Sequence, residues 1–148
     1  MPLFSEKETA ILEQLPFAEW QQRPAWPAVS LANTDLVEDL APHVGRLRLI
    51  VLNFPKFSDG RAYSQARLLR GRLGYRGELR ATGGVLQDQL PFMLRCGFDS
   101  FESDQKGFGE ALAKARTLFS VVYQPAEDDR APASLLRLSR YKVLSPRA

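Results

Sequence analysis

Leu47-Arg48-Leu49-Ile50-Val51-Leu52-Asn53 is the stretch that decides the fold. Leucine, isoleucine and valine follow one another almost without a break. A strand with one wet face alternates apolar and polar side chains, whereas a strand covered on both faces reads as a continuous apolar run. The segment is therefore read as a strand inside a covered sheet. Gly45, just ahead of it, stops a helix. That helix is expected from Asn33-Thr34-Asp35, which supplies a cap, and from Leu36, Val37, Leu40 and Val44 at helical spacing. Ahead of the cap, Ala28-Val29-Ser30-Leu31-Ala32 reads as a shorter strand.

The same alternation continues downstream. Ser58 or Asp59 is expected to cap a helix whose Ala62, Ala66, Leu69 and Leu73 share one face, ending at Gly74 and Gly77. Glu78-Leu79-Arg80-Ala81 is a strand. Val85 to Cys96 reads as a helix stopped by Gly97, with Pro91 either kinking it or lying in the first turn of a helix that starts later. Phe98 to Glu102 is a strand, and Ser103 or Asp104 caps a helix with Phe108, Ala111, Leu112, Ala115 and Leu118 as its apolar stripe. Ser120-Val121-Val122-Tyr123 is a last strand. Strands starting near 28, 47, 78, 98 and 119, with helices between, imply crossover connections and an α/β fold of repeated βα units around a parallel sheet. Five strands do not close an eight-fold barrel. A half-barrel, like a fragment of a TIM barrel, and an open doubly wound sheet both remain, the short repeat leaning towards the first. In either, ligands are expected at the C-terminal strand ends.

Three segments follow from this reading. Residues 28–125 form the βα-repeat domain. Residues 1–27 precede it, with a helix expected from the Ser5-Glu6-Lys7-Glu8 capping box to Leu15. A wrap follows in which Pro16, Pro24 and Pro27 accompany Trp20 and Trp26. Residues 126–148 form a tail or an edge strand around Leu135 to Val143.

Composition narrows the functional classes. A chain of 148 residues, 45% hydrophobic and 25% charged, is that of one globular domain, able to bury roughly 70% of its unfolded surface. Its one cysteine, Cys96, excludes an intrachain disulfide and a four-thiolate iron–sulfur site, and favours a cytoplasmic setting. Its one histidine, His43, excludes a multi-histidine zinc site. No metal is expected and no cofactor is specified. The N-terminus lacks the basic start and apolar run of a signal peptide, and no segment approaches the ~18 apolar residues of a membrane span. No membrane association is expected. The net charge of +3 is unevenly spread. Residues 1–43 carry two basic and seven acidic side chains, a balance of −5, and residues 44–81 carry nine basic and two acidic, a balance of +7. Either an anionic partner meets this middle segment, or its arginines lie along wet helix edges, their stems covering apolar surface.

The strand-end rule selects the candidate residues. Asn53 to Tyr63 sets Lys56, Asp59, Arg61 and Tyr63 between a strand exit and a helix entrance. Lys56 binds an anion or, with a lowered pKa, acts as a base. Arg61 clamps a carboxylate or oxyanion. Lys56, Asp59 and Tyr63 are the catalytic candidates. Asn53, Lys56, Arg61, Arg80 and Thr82 are the ligand-binding ones. Helix capping by Asp59, with the cations solvated, explains the same residues without a site. Arg80, in a covered strand, needs a partner, and Glu78 shares its face. Thr82-Gly83-Gly84 leads towards a helix start, a weak phosphate-holding pattern. Cys96 is expected to be a buried, inert thiol, and His43 a helix-end residue. No Walker A sequence exists, and Gly107-Phe108-Gly109-Glu110-Ala111-Leu112 fails the dinucleotide fingerprint because Leu112 takes the third small position. Nucleic-acid binding is not expected.

Phe54-Pro-Lys-Phe-Ser-Asp-Gly-Arg-Ala-Tyr-Ser-Gln-Ala-Arg-Leu-Leu-Arg70 resembles the signature of a bacterial family, domain of unknown function 934. Gly77 to Ala81, Asp88-Gln-Leu, Phe92 to Asp99 and Ser120 to Pro125 are similar to it in order. The likeness covers roughly residues 47–126, with Pro91 as a departure. It implies a cytosolic protein encoded beside sulfite reductase, an oxidoreductase or accessory protein of assimilatory sulfite reduction, and brings no established catalytic residues. Sulfite reductase or another acidic protein is the expected partner, and a small anion a possible ligand. Two other functions stay open: a non-redox enzyme with an anion-substrate site at the strand ends, and a non-catalytic protein-binding module.

Overall fold

The computed structural model describes residues 3–5, 11–56 and 58–118. The expected strand at 120–123 and the tail or edge strand beyond it lie outside them. Among these residues six strands form one sheet: β1 (Leu3–Phe4), β2 (Leu15–Pro16), β3 (Ala28–Leu31), β4 (Leu49–Phe54), β5 (Glu78–Gly83) and β6 (Ser100–Glu102). Their spatial order is β1-β6-β5-β4-β3-β2. β2 to β6 are parallel neighbours in sequence order, and β1 pairs antiparallel with β6. The sheet is open.

Sequential order settles how the layers stack. Right-handed crossovers between strands that always step the same way put every connection on one face. A doubly wound sheet needs a reversal of strand order, and none occurs from β2 to β6. The arrangement is that of a stretch of barrel wall left unclosed. The helices α1 (Phe17–Trp20), α2 (Arg61–Arg67), α3 (Leu90–Arg95) and α4 (Phe108–Leu118) accompany a 3-10 helix at Val37–His43. Their apolar residues join Val29, Leu31, Ile50, Leu52, Phe54, Leu79, Ala81 and Phe101 in the main core. The alternate strand residues face the other way, where Ala28, Leu49 and Val51 form a small second cluster with Leu12 against it. β4 is buried on both faces, as its apolar run requires.

Several local features differ from the sequence-based expectation. Leu15 is a strand residue, not the end of a helix from Ser5: it pairs with Val29. Pro16 joins the same strand because β2 is the edge of the sheet among the described residues, where a missing N–H costs no ladder bond. The Ser5 hydroxyl donates to Glu78 Oε1 at 2.9 Å. The proline-rich wrap contains α1, whose Trp20 is buried and donates to the Trp26 carbonyl. The helix after β3 is 3-10. With three residues per turn, Val37, Leu40 and His43 stack on one side, so Val37 and Leu40 are buried and the His43 ring meets Trp20 edge-on, while Leu36 is exposed. A 3-10 turn at Gln87–Gln89 precedes α3, so the helix starts late with Pro91 in its first turn. α4 begins at Phe108, not at Ser103 or Asp104: Ser103 accepts the Gln105 N–H in a turn of its own. Phe98 and Asp99 belong to the turn ahead of β6.

Arg70 holds the opposite end from the helix entrances. It lies in the π-helical turn Leu68–Arg72 that continues α2. Its guanidinium donates to the carbonyls of Tyr75, Gly77 and Gly97 and to Asp99 Oδ2 at 2.6 Å, and sits over the Tyr75 ring. Gly97 has φ +102°, and a Cβ there would run into the Arg70 side chain. Asp99 Oδ2 also accepts the Leu79 N–H. One cation thus ties the turns before β5 and β6 together. Arg70→Leu should cost about 3 kcal/mol in urea unfolding, because it leaves carbonyls and a carboxylate without their donor.

Tyr75 is fully buried, and its hydroxyl donates to the Glu78 carbonyl. Burial pushes its phenol far above the usual range near 10, outweighing the opposing effect of Arg70. The folded pKa is raised, so this group's contribution is intact below about pH 10. Stability should then fall by up to about 1.4 kcal/mol per pH unit as unfolded chains ionise and folded ones cannot. Tyr75→Phe should flatten that alkaline slope in unfolding measured between about pH 9 and 11.

Candidate functional site

The C-terminal strand ends form a braced rim. Gln65, on α2, donates its amide to the carbonyls of Ala32 and Asp35, both at 2.9 Å. Asp35 Oδ2 accepts the Ala32 N–H at 2.7 Å, closing the turn after β3. Asn33 donates to Asp59 Oδ2, so the loops after β3 and β4 are joined. The Gly84 N–H donates to the Phe54 carbonyl at 2.6 Å, drawing the loop after β5 onto the end of β4. Gly83 permits this approach: its φ is +89°, and a Cβ would strike the Phe54 carbonyl and Asn53 Oδ1. Gln87 in turn donates to the Lys106 carbonyl in the loop after β6.

Inside this rim lies an open cleft of about 600 Å³. Pro16, Phe17, Ala18 and Gln21 form one wall, and Leu31, Ala32 and Asp35 lie beside it. Ser30, Asn53 and Thr82 line it from three adjacent strands. Asn53 and Thr82 are register partners and project from the face away from the helices. Asp35 is the only charged residue among those lining the cleft, and no lysine or arginine is among them. The cleft thus offers amide and hydroxyl groups and one carboxylate.

Two of the seven sequence candidates, Asn53 and Thr82, come together here. The others do not line the cleft. Lys56 is exposed beyond β4. Asp59 accepts the Arg61 N–H, and its side chain is shared between Asn33 and the Arg61 guanidinium at 3.5 Å, which leaves it bracing the rim. Arg61 is 63% exposed. Tyr63 packs between Phe54, which it meets edge-on, and the tilted ring of Phe92, with ring centroids 5.0 and 4.9 Å away. Burial, then the neighbouring Cys96, pushes its phenol up.

Arg80 is 2% exposed and turns towards β6. It reaches Glu78 at 3.3 Å, Ser100 at 3.3 Å and Glu102 at 3.8 Å. Glu78 Oε1 also accepts the Ser5 and Ser100 hydroxyls, while Oε2 is buried without a hydrogen-bond partner. This is an ion-paired network, the arrangement a charge in a covered strand requires. Cys96 is buried, and His43 Nδ1 lies 3.3 Å from the Arg46 guanidinium. Among the described residues no three His, Cys, Asp or Glu side chains gather as a metal site, and no helix is long and apolar enough to cross a membrane.

The model of a family described as bacterial protein of unknown function (DUF934) matches residues 28–134. The chain belongs to this family. The match spans the strands that build the rim and begins at β3, ahead of the motifs at 54–70. No curated protein and no solved structure matches the chain.

Gln65 and Asp35 are the rim residues of this DUF934 chain that sequence reading passed over. Gln65 carried a signal: it falls between Ala62 and Leu69 on the buried face of α2, where a polar side chain needs a partner. It is 6% exposed, and its Oε1 is buried without a hydrogen-bond partner. Gln65→Leu keeps the volume and removes the tether. It should cost about 1–3 kcal/mol and speed amide hydrogen exchange at Ala32 and Asp35 relative to the β4 core.

Proposed function

We propose that this protein serves assimilatory sulfite reduction, as an accessory protein or oxidoreductase working beside sulfite reductase, with the rim cleft as its ligand site. The resemblance of its motifs to a family encoded beside that reductase supports the pathway. One observation carries the site: Ser30, Asn53 and Thr82, from three parallel neighbours, meet in a cleft at the C-terminal strand ends. Ligands of parallel sheets bind at this end, and a volume of this size suits a small organic molecule.

The lining refines the reading. With Asp35 as its one charged group, the cleft suits a neutral or cationic polar molecule better than free sulfite. An oxidoreductase role requires a bound redox group, because Cys96 is buried and has no second cysteine with which to cycle. The visible spectrum of the natively purified protein separates the two roles. An absorption band from a bound organic group marks the oxidoreductase, and a colourless protein the accessory.

Deleting the gene should slow growth on sulfate as sole sulfur source but not on cysteine; equal growth on both rejects the pathway. Complementation with Asn53→Leu or Thr82→Val should fall towards the deletion phenotype. Full rescue by both would move the site elsewhere while leaving the pathway intact.

A further inference from the structure

The two ends of the sheet differ sharply in charge. The loops at the C-terminal rim mix signs: Asp35, Asp59, Asp88 and Asp104 stand among Lys56, Arg61 and Lys106. The turns at the other end, which feed β4, β5 and β6, do not. They carry Arg46, Arg48, Arg70, Arg72 and Arg76, and Asp99 is their one acidic residue among the described residues of 44–48, 68–77 and 96–99. Asp99 is already engaged by Arg70 and the Leu79 N–H.

Topology concentrates these charges. Arg48 immediately precedes β4, and its carbonyl accepts the Glu78 N–H, so the starts of β4 and β5 lie side by side, about 4.8 Å apart. α2 runs back antiparallel to the strands, which delivers Arg70 and Arg72 to the same end. Arg46, Arg48, Arg72 and Arg76 are all exposed. The opposite rim intersperses acidic side chains among its cations, and these three turns do not. Like charges gathered at Arg46, Arg48 and Arg72 repel one another and raise the free energy of the isolated chain.

We propose that this end of the sheet is a docking surface for an acidic face of another protein. Arginine is the cation favoured at protein interfaces, and no lysine stands in these turns. The patch is compact, spread over two neighbouring strand starts, rather than a long stripe that follows a phosphate backbone. No exposed aromatic platform lies in these three turns to stack bases. The surface is independent of the cleft and of sulfite reduction; if the pathway assignment holds, the reductase is the natural candidate to test on it.

The test uses the full chain and fluorescein-labelled poly-L-glutamate, followed by anisotropy. Binding should be measurable at low salt and weaken steeply towards physiological salt. Arg46→Glu/Arg48→Glu/Arg72→Glu should lose about tenfold or more in affinity, while Lys56→Glu/Lys106→Glu at the opposite rim stays within about twofold. The set Arg46→Gln/Arg48→Gln/Arg72→Gln, checked by circular dichroism, replaces the first if charge reversal unfolds the chain, and should lose at least about threefold. Absence of binding, or equal loss in the Lys56/Lys106 variant, overturns the proposal. So does binding of a 20-base-pair duplex or of phosphatidylserine vesicles through the same arginines about tenfold more tightly than poly-L-glutamate.

Discussion

The pairing of β4 between β3 and β5 is the constraint from which the remainder follows. Ser30, Val51 and Arg80 stand in one row across these strands, and Ala28, Leu49 and Glu78 in the row below. Once three strands run side by side in the same direction and in sequence order, the crossovers are confined to one face. That face acquires the main core from alternate residues of every strand. The other face receives what is left over: a few small apolar groups, an ion-paired network and the polar residues of the cleft.

The same pairing separates two kinds of loop. Turns leaving the strands meet at one end, where side-chain and backbone amides tie them to one another and leave a cleft between. Turns entering the strands meet at the other, where a single guanidinium binds three carbonyls and a carboxylate. Gln65 and Arg70 play matching parts at the two ends, both from the stretch of helix that follows β4. A short helical segment thereby controls the shape of both ends of the sheet.

Most of the architecture was legible in the residues. The almost unbroken apolar run at 47–53 specifies a strand covered on both sides, and β4 is one. Alanines and leucines at 62, 66 and 69 specify a helix packed on that strand, and all three are buried. Glu78 beside Arg80 specifies an ion pair, and the pair is present. Local chemistry misled where tertiary contacts outbid it. The Ser5 hydroxyl finds a carboxylate across 73 residues, and Pro16 enters a strand that has no outer neighbour among the described residues. The candidate cleft was legible in part. Asn53 and Thr82, singled out by the rule that parallel strands bind ligands at their C-terminal ends, both line it. The dense polar run from Lys56 to Tyr63 scattered, because Asn33 and Arg61 engage Asp59 in the turn ahead of α2, whose N-cap is Gly60, and aromatic packing claims Tyr63. Gln21 and Asp35 reach the cleft from segments whose proximity depends on how β2 and β3 pair, which no local pattern encodes.

The buried charges of β5 have one more consequence. Because side chains alternate faces, a slip of this strand by a single residue would turn Glu78 and Arg80 into the apolar layer beneath the helices and lift Leu79 and Ala81 out of it. An all-aliphatic β5 would tolerate that error at little cost, whereas two ionised groups make it prohibitive. Glu78 and Arg80 thus act as an alignment key: they add little to stability once the native pairing has formed, but they make the misaligned sheet too costly to persist.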